Sequence, residues 1–113
     1  MSTARSDSLT YLIRRKLELS QEGFARLIGV SHRTVWRWEQ PNGQPDSQTQ
    51  EFLKRLDNVL EIKRLTMDAR DIERWLSTTN AELKNFAPIE LLRSEFGAAT
   101  LHDYMKAQIH SRQ

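Results

Sequence analysis

The apolar residues of this chain recur at intervals of three and four, the spacing that places them on one face of a helix. No sustained alternation of apolar and polar residues indicates a strand, and the Asn42-Gly43 pair lies between prolines instead of between strand-like runs. The sequence therefore predicts an all-α fold of about seven short helices.

Polar caps and helix breakers divide the first part of the chain. Ser20 and Ser31 suit the starts of the second and third helices, and Gly29 between them suits a left-handed helix end. The segment QPNGQPDS cannot continue a helix, because it holds two prolines and a glycine. A fourth helix is predicted to restart at Ser47.

A second block of helices follows. Asp68 suits the start of one helix, Pro88 the first position of another, and Gly97 its end, while Thr100 suits the cap of a last helix. The residues predicted to face inward in this block are Ala69, Ile72, Trp75, Leu76, Ile89, Leu91, Leu92, Phe96, Leu101, Tyr104, Met105 and Ile109.

Positive charge is concentrated at the front of the chain, although the formal net charge is only +2. From Arg5 to Arg37, seven Lys and Arg residues stand against three acids, whereas from Glu61 to Gln113 eight basic residues meet eight acids. The front is therefore the candidate surface for a polyanion, and the back is not.

The run SHRTVWRWEQ contains two tryptophans that cannot both face the same core. At about 100° per residue, Trp38 shares one side of the third helix with Val35. Trp36 falls on the opposite side, beside Arg33 and Arg37. We therefore expect Trp38 to pack inward and Trp36 to lie on a basic outer face.

A short helix, a tight glycine turn and a second helix with a basic outer face describe a helix-turn-helix, a motif that reads DNA. In the major groove, Arg33 and Arg37 can bond guanine edges or phosphates, and Ser31 or His32 can bond base edges. The alternative for the two arginines is a face that is only solvated.

Two further residues are candidate contacts at the margin of this motif. Gln21, at the start of the second helix, is placed to touch a phosphate together with the free backbone N–H groups there. Trp36 can pack on a sugar-phosphate or a thymine methyl. Its alternatives are packing against the fourth helix or against a dimer mate.

The stretch LSQEGFARLIGVSHRTVWRWE closely resembles the DNA-binding helix-turn-helix of the Xre and lambda-type repressor family. The matching positions are Leu19, Ser20, Gln21, Ala25, Gly29, Val30, Ser31, Thr34, Val35 and Glu39. The resemblance implies that DNA contacts fall at Gln21, His32, Arg33 and Arg37. It also implies a buried pair between the first and third helices, at Arg14 and Glu39.

The remainder of the chain resembles the C-terminal domain of the MbcA/ParS/Xre antitoxins. The matching positions are Trp75, Leu76, Asn80, Leu83, Pro88, Leu91, Leu92 and Gly97. The resemblance implies a DNA-binding domain over residues 1–65 and a small helical antitoxin domain over residues 66–113. One departure is that the family often has glycines where this chain has Lys84, Asn85 and Phe86.

Together the two resemblances imply an antitoxin of a type II toxin–antitoxin system. Such proteins typically dimerise, bind and block a RES-domain toxin that consumes NAD, and repress their own operon by binding double-stranded operator DNA. The candidate toxin contacts are Arg93, Tyr104 and Lys106. A second half of about 45 residues is also too small to bury much core alone, so we expect it to pack on the fourth helix or on a second copy of itself in a homodimer.

Nothing in the sequence predicts an enzyme, a metal site or a cofactor. The chain has no cysteine, His102 and His110 lack a third ligand, and no glycine-rich phosphate loop is present. The segment MSTARSDSLT lacks the apolar core of a signal peptide, and no apolar run reaches membrane-spanning length. We therefore expect a cytoplasmic protein without a membrane partner.

Two other functions stay open at this point. The chain could be a stand-alone phage- or plasmid-type transcriptional repressor whose C-terminal domain only dimerises. It could also be a protein-binding inhibitor whose helix-turn-helix no longer reads DNA. A measurement of DNA binding separates the second of these from the rest.

Overall fold

The computed structural model describes residues 8–111, with side chains described as far as residue 109. Seven α-helices form this part of the chain, and a 3₁₀ turn at Ala81–Leu83 lies between the fifth and sixth. They are α1 Leu9–Lys16, α2 Gln21–Ile28, α3 His32–Trp38, α4 Ser47–Lys63, α5 Ala69–Ser77, α6 Pro88–Leu91 and α7 Glu95–Ser111. Over these residues no strand forms, and only an isolated bridge pairs Asn80 with Phe86. The prediction of an all-α fold is confirmed.

Side-chain caps fix the starts of most helices in the described part of the chain. The predicted caps Ser20, Ser31 and Asp68 each accept a hydrogen bond from the backbone N–H three residues later. The carboxylate of Asp46 caps α4 in the same way by accepting from the N–H of Thr49, and this hydrogen bond lowers the pKa of Asp46. Because the first N–H groups of a helix have no partner within it, these caps define where each helix begins.

One hydrophobic core joins the two halves of the chain around α4. The guanidinium of Arg55 on α4 donates to the carbonyl of Leu92, and the ammonium of Lys63 lies 4.3 Å from the ring centroid of Trp75 on α5. The second half thus packs on the fourth helix, as its small size led us to expect. The largest fully buried apolar side chains are Phe24, Ile13, Leu17, Ile28, Leu53, Leu56, Leu60, Ile72, Leu76, Leu92 and Leu101.

The predicted boundary between the last two helices is wrong. α6 ends at Leu91, and α7 begins at Glu95 and runs through both Gly97 and Thr100. The hydroxyl of Ser94 accepts the N–H of Gly97, which is the interaction we had assigned to a cap at Thr100. Gly97 is needed for a different reason, since a Cβ there would lie 2.2 Å from the carbonyl oxygen of Leu91.

Phe96 was predicted to face the core, and this is also wrong because its side chain is 83% exposed. Because α7 begins at Glu95 and not at the predicted Thr100, Phe96 lies on the same helix as Met105. Phe96 precedes Met105 by nine positions, which is about half a turn away around a helix, and Met105 is buried. Ile109, also expected inward, is half-exposed.

Within residues 8–111, no helix is both long and apolar enough to cross a membrane.

We predict that Gly97→Ala destabilises the protein although alanine is the better helix former. The added methyl group would overlap a backbone oxygen that cannot move aside freely, and such overpacking costs about 1–3 kcal/mol. Thermal unfolding measures the effect, and the control is Ala99→Gly at an exposed position of the same helix, expected to cost about 1 kcal/mol through helix propensity alone. A rise in Tm for Gly97→Ala would contradict the close approach.

Candidate nucleic-acid interface

α2 and α3 are joined by a tight turn of three residues, 29–31, and pack against each other. Gly29 has φ +80°, a left-handed conformation that glycine adopts without a steric penalty. The N–H groups of Gly29 and Val30 both donate to the carbonyl of Ala25, at 2.9 and 3.0 Å. Ser31 then caps α3, so the direction of α3 is set within one turn of the end of α2.

The two tryptophans of α3 lie on opposite sides of the helix, as predicted. Trp38 is 9% exposed and packs in the core with the fully buried Val35, whereas Trp36 is 48% exposed. Two anchored side chains on the inner side fix the rotation of this short helix about its axis. The outer side is consequently presented to solvent in one orientation.

The outer side of α3 carries two unpaired cations. Arg33 and Arg37 are exposed, and neither forms an ion pair with any acid in the described part of the chain. Trp36 lies between them in sequence, and His32, Arg33 and Trp36 together line a shallow surface depression. Arg33, Trp36 and Arg37 are spaced by three and four residues, which places them on one helical face.

The turn after α3 limits how far this helix extends. The N–H of Gly43 donates to the carbonyl of Gln40, and a Cβ at Gly43 would lie 1.7 Å from the carbonyl oxygen of Arg37. The chain therefore folds back directly beneath the end of α3, and only a glycine fits at this point of contact.

Glu39, which follows α3, is a buried carboxylate with a complete set of partners. Its side chain is 0% exposed, and Arg14 of α1, itself 12% exposed, binds it in a bidentate pair with Nε–Oε2 at 2.8 Å and Nη2–Oε1 at 2.9 Å. Arg14 also donates to the carbonyl of Leu19 at 3.1 Å. The hydrogen bond to Glu39 raises the pKa of Arg14, and burial acts in the opposite direction. The ion pair that the family resemblance implied is thus present.

Gln21 connects this buried pair to the outer surface. Its Nε2 donates to Oε1 of Glu39 at 3.1 Å, and its Oε1 lies 3.2 Å from Nε2 of His32. The first residue of α2 and the first residue of α3 are therefore joined through one amide. Gln21 was predicted to touch a phosphate, and here its side chain is engaged within the chain.

Ser31, another predicted DNA contact, is occupied by its capping role. Its hydroxyl accepts the N–H of Thr34 at 3.1 Å and lies 2.8 Å from the hydroxyl of Thr34. Six residues were predicted to contact DNA. Three of them are exposed and have no side-chain hydrogen bond or ion pair within the described chain: Arg33, Trp36 and Arg37.

The cationic surface at the front is smaller than the count of basic residues suggests. The ammonium of Lys16 on α1 binds Asp57 and Glu61 of α4, at 2.6 and 2.8 Å, and these hydrogen bonds raise the pKa of Lys16. Arg14 is neutralised by Glu39. Both cations therefore hold helices together, and within the described residues the exposed Arg15, Arg26, Arg33 and Arg37 carry the remaining positive charge of the front, while Arg5 lies outside the described residues.

The three candidate toxin contacts do not form one patch. Arg93 points back into the chain, where its guanidinium donates to the carbonyl of Ile28. The hydroxyl of Tyr104 donates to Glu82 at 3.1 Å. Tyr104 and Lys106 are two positions apart on α7, about 200° around the helix, and Lys106 is exposed.

Tyr104 instead holds the 3₁₀ turn against α7. Besides donating to Glu82, its hydroxyl accepts from the amides of Asn80 and Gln108, at 3.2 and 2.8 Å. In the turn that follows, Lys84 and Asn85 have φ of +58° and +66°. Both residues are therefore in the left-handed conformation, which non-glycine residues adopt rarely.

The Arg14–Glu39 pair was implied by the resemblance, but two other contacts between distant segments were missed. The pairing of Lys16 had one local signal, since Asp57 and Glu61 are four positions apart on one helical face. The contact between Arg93 and Ile28 had none, because 65 positions separate the two residues.

Known proteins give no further guide to this site. No family model, no curated protein and no solved structure matches the chain. Among the residues described, no group of three or more His, Asp or Glu side chains could hold a metal ion.

We predict that Glu39→Gln lowers the free energy of unfolding by about 3 kcal/mol, because it leaves the largely buried Arg14 without a counter-charge. The control is the same substitution in an exposed pair: Glu51 and Lys54 are 58% and 60% exposed, and Glu51→Gln should change stability by no more than about 0.5 kcal/mol. Urea unfolding measures both. Equal effects of the two substitutions would show that the Glu39 pair contributes no more than a surface pair.

Proposed function

We propose that this chain binds double-stranded DNA sequence-specifically, with α2, the Gly29 turn and α3 acting as a helix-turn-helix. The observation that carries the proposal is the outer face of α3, where the unpaired Arg33 and Arg37 flank the exposed Trp36. Two solvated cations beside a half-exposed indole form a surface of the kind that a polyanion such as DNA binds. The geometry of the face fits the DNA major groove, which is about 12 Å wide and admits one α-helix.

Each exposed residue has a chemical role in this proposal. Arg33 is in the first turn of α3, the part of a recognition helix that reaches base edges, and its guanidinium matches the O6 and N7 acceptors of guanine. Arg37, one turn later, is placed for a phosphate or a second guanine. Trp36 packs on a sugar or a thymine methyl between them. His32 completes the face, with its ring oriented by Gln21.

The N-terminus of α2 supports the same orientation. Gln21 begins this helix, and its backbone N–H belongs to the first turn, where amide groups point outward without helical partners. In this proposal the backbone of Gln21 binds a phosphate, while its side chain remains on Glu39 and His32. This assigns Gln21 a main-chain contact and a positioning role for its amide.

On the resemblance of the second half, we propose further that the protein is an antitoxin of a type II system. It neutralises a RES-type toxin that consumes NAD and represses its own operon as a homodimer. Exposed apolar side chains in the second half, Phe86 and Phe96, supply surface of the kind that partners bury. The left-handed backbone at Lys84 and Asn85 supports the resemblance, because glycines in the family favour the same conformation.

The alternative is a stand-alone phage- or plasmid-type repressor whose second half only dimerises. The same exposed apolar surface would then be covered by a second copy of the chain. This alternative predicts the same DNA binding and differs only in its protein partner.

Selection from a library of random duplexes tests the first proposal. The purified chain should enrich a defined sequence, and affinity for the enriched duplex should fall steeply with salt, because phosphate contacts release counterions. Enrichment of no sequence, or an affinity that is flat between low and moderate salt, would contradict binding through the basic face of α3.

We predict that Arg33→Ala weakens binding to the selected duplex by about 1–3 kcal/mol and relaxes the preference for one base pair. The control is Arg26→Ala, which removes an exposed arginine of α2 from outside the proposed recognition helix. Fluorescence anisotropy with matched and single-substituted duplexes measures both. Unchanged affinity and preference would remove Arg33 from the readout.

We predict that co-expression with the product of the neighbouring gene yields a stable complex containing both proteins, and that the neighbour is toxic when expressed alone. The native mass of the purified complex gives its stoichiometry. A homodimer of this chain beside a harmless neighbour would instead establish the stand-alone repressor.

A further inference from the structure

Arg93 reaches from the second half of the chain to the turn that precedes α3. Its guanidinium donates to the carbonyl of Ile28, the last residue of α2, and lies 4.1 Å from the ring centroid of Phe52 on α4. The same guanidinium lies beside Gly29, with Nη2 at 3.9 Å from where a Cβ would be. A residue in the connection between α6 and α7 thus contacts the end of α2 where the Gly29 turn begins.

The chemistry of this contact suits the end of a helix. The last carbonyls of an α-helix have no N–H partner within it, and they carry the negative end of the helix dipole. The two N–H groups that close α2, those of Gly29 and Val30, both go to the carbonyl of Ala25. The carbonyl of Ile28 is left for Arg93, and a cationic donor is the favourable partner there.

Arg93 is held in place from both ends. The carbonyl of the preceding residue, Leu92, accepts from Arg55 of α4, so the backbone at the root of the side chain is fixed. The ring of Phe52 supports the guanidinium plane, a stacking that arginine makes better than lysine. Burial lowers the pKa of Arg93, as expected for a cation partly withdrawn from water.

We propose that Arg93 is a positioning residue for DNA binding: it holds the end of α2 at the Gly29 turn and thereby sets the orientation in which α3 presents Arg33, Trp36 and Arg37. This inference rests on the proposed DNA-binding function. On this inference the second half of the chain takes part in DNA recognition, although it contributes no side chain to the face of α3.

The test uses the full chain and the duplex selected by the wild type. Arg93→Ala is compared with Arg70→Ala, which removes one positive charge from an exposed position of α5. Affinity is measured by fluorescence anisotropy at several salt concentrations, and backbone amide exchange is measured on the free protein. These readouts separate a change in the turn from the loss of a phosphate contact.

For Arg93→Ala we expect an affinity lower by about tenfold, within the range of mutations that act through a packed neighbour, and the wild-type dependence of affinity on salt. The amides of Gly29 and Val30 should exchange faster, while that of Leu56 in α4 stays protected. Arg93→Lys should recover part of the affinity, because an ammonium can donate to the same carbonyl without the stacking. Arg70→Ala should match the wild type in every measurement.

Three results would overturn the inference. A salt slope reduced by about 0.9 would make Arg93 a direct phosphate contact. Faster exchange of Leu56 along with the turn would make it a general stabiliser, and an effect equal to that of Arg70→Ala would give it no role. If the wild type selects no duplex, the proposed function itself fails, and the exchange of Gly29 and Val30 still reports whether Arg93 holds the turn.

Discussion

The arrangement of α1, α2 and α3 depends on the ion pair and hydrogen bonds of the buried Glu39 carboxylate. A charge removed from water is tolerated only when hydrogen bonds and a counter-charge replace the solvent, and a single arrangement of helices supplies them here. Arg14 comes from α1, Gln21 from α2, and Glu39 itself follows α3. Any rotation of one of these helices against the others would break a contact to the carboxylate. The orientation of the exposed face of α3 therefore depends on the contacts of a residue whose side chain is fully buried.

Local features of the sequence predicted those parts of the structure that depend on neighbours in the chain. The caps at Ser20, Ser31 and Asp68 were predictable because a side-chain acceptor and its N–H donor are three residues apart. The opposite placement of Trp36 and Trp38 followed from helical geometry alone. Both depend on distances that the backbone of one helix determines.

The errors and omissions arose where distant segments meet. Gly97 has the composition of a helix end, yet the carbonyl of Leu91 requires a glycine inside α7, and only the packed structure reveals that approach. The wrong prediction that Phe96 is buried followed from that error. Phe96 belongs to α7 and not to the helix before it, so it shares a helical face with different residues. The pairing of Lys16 with Asp57 was missed because the two residues are 41 positions apart, although the spacing of Asp57 and Glu61 on one helical face was a signal for it. The pairing removes a cation that the count of basic residues assigns to the candidate polyanion-binding surface.

If α3 is the recognition helix proposed above, its length limits how much DNA sequence one copy of the protein can distinguish. The fold-back at Gly43 ends the helix after seven residues, a rise of about 10 Å, which spans about three base pairs along the duplex. A given sequence of three base pairs recurs by chance about every 64 positions, whereas a genome presents about a million or more competing sites. On this proposal, a single α3 therefore distinguishes too few base pairs to specify a unique site in a genome. If the proposal holds, two copies that bind adjacent three-base-pair sites at a fixed spacing would square that discrimination, so the fold-back at Gly43 makes assembly one way to raise sequence specificity.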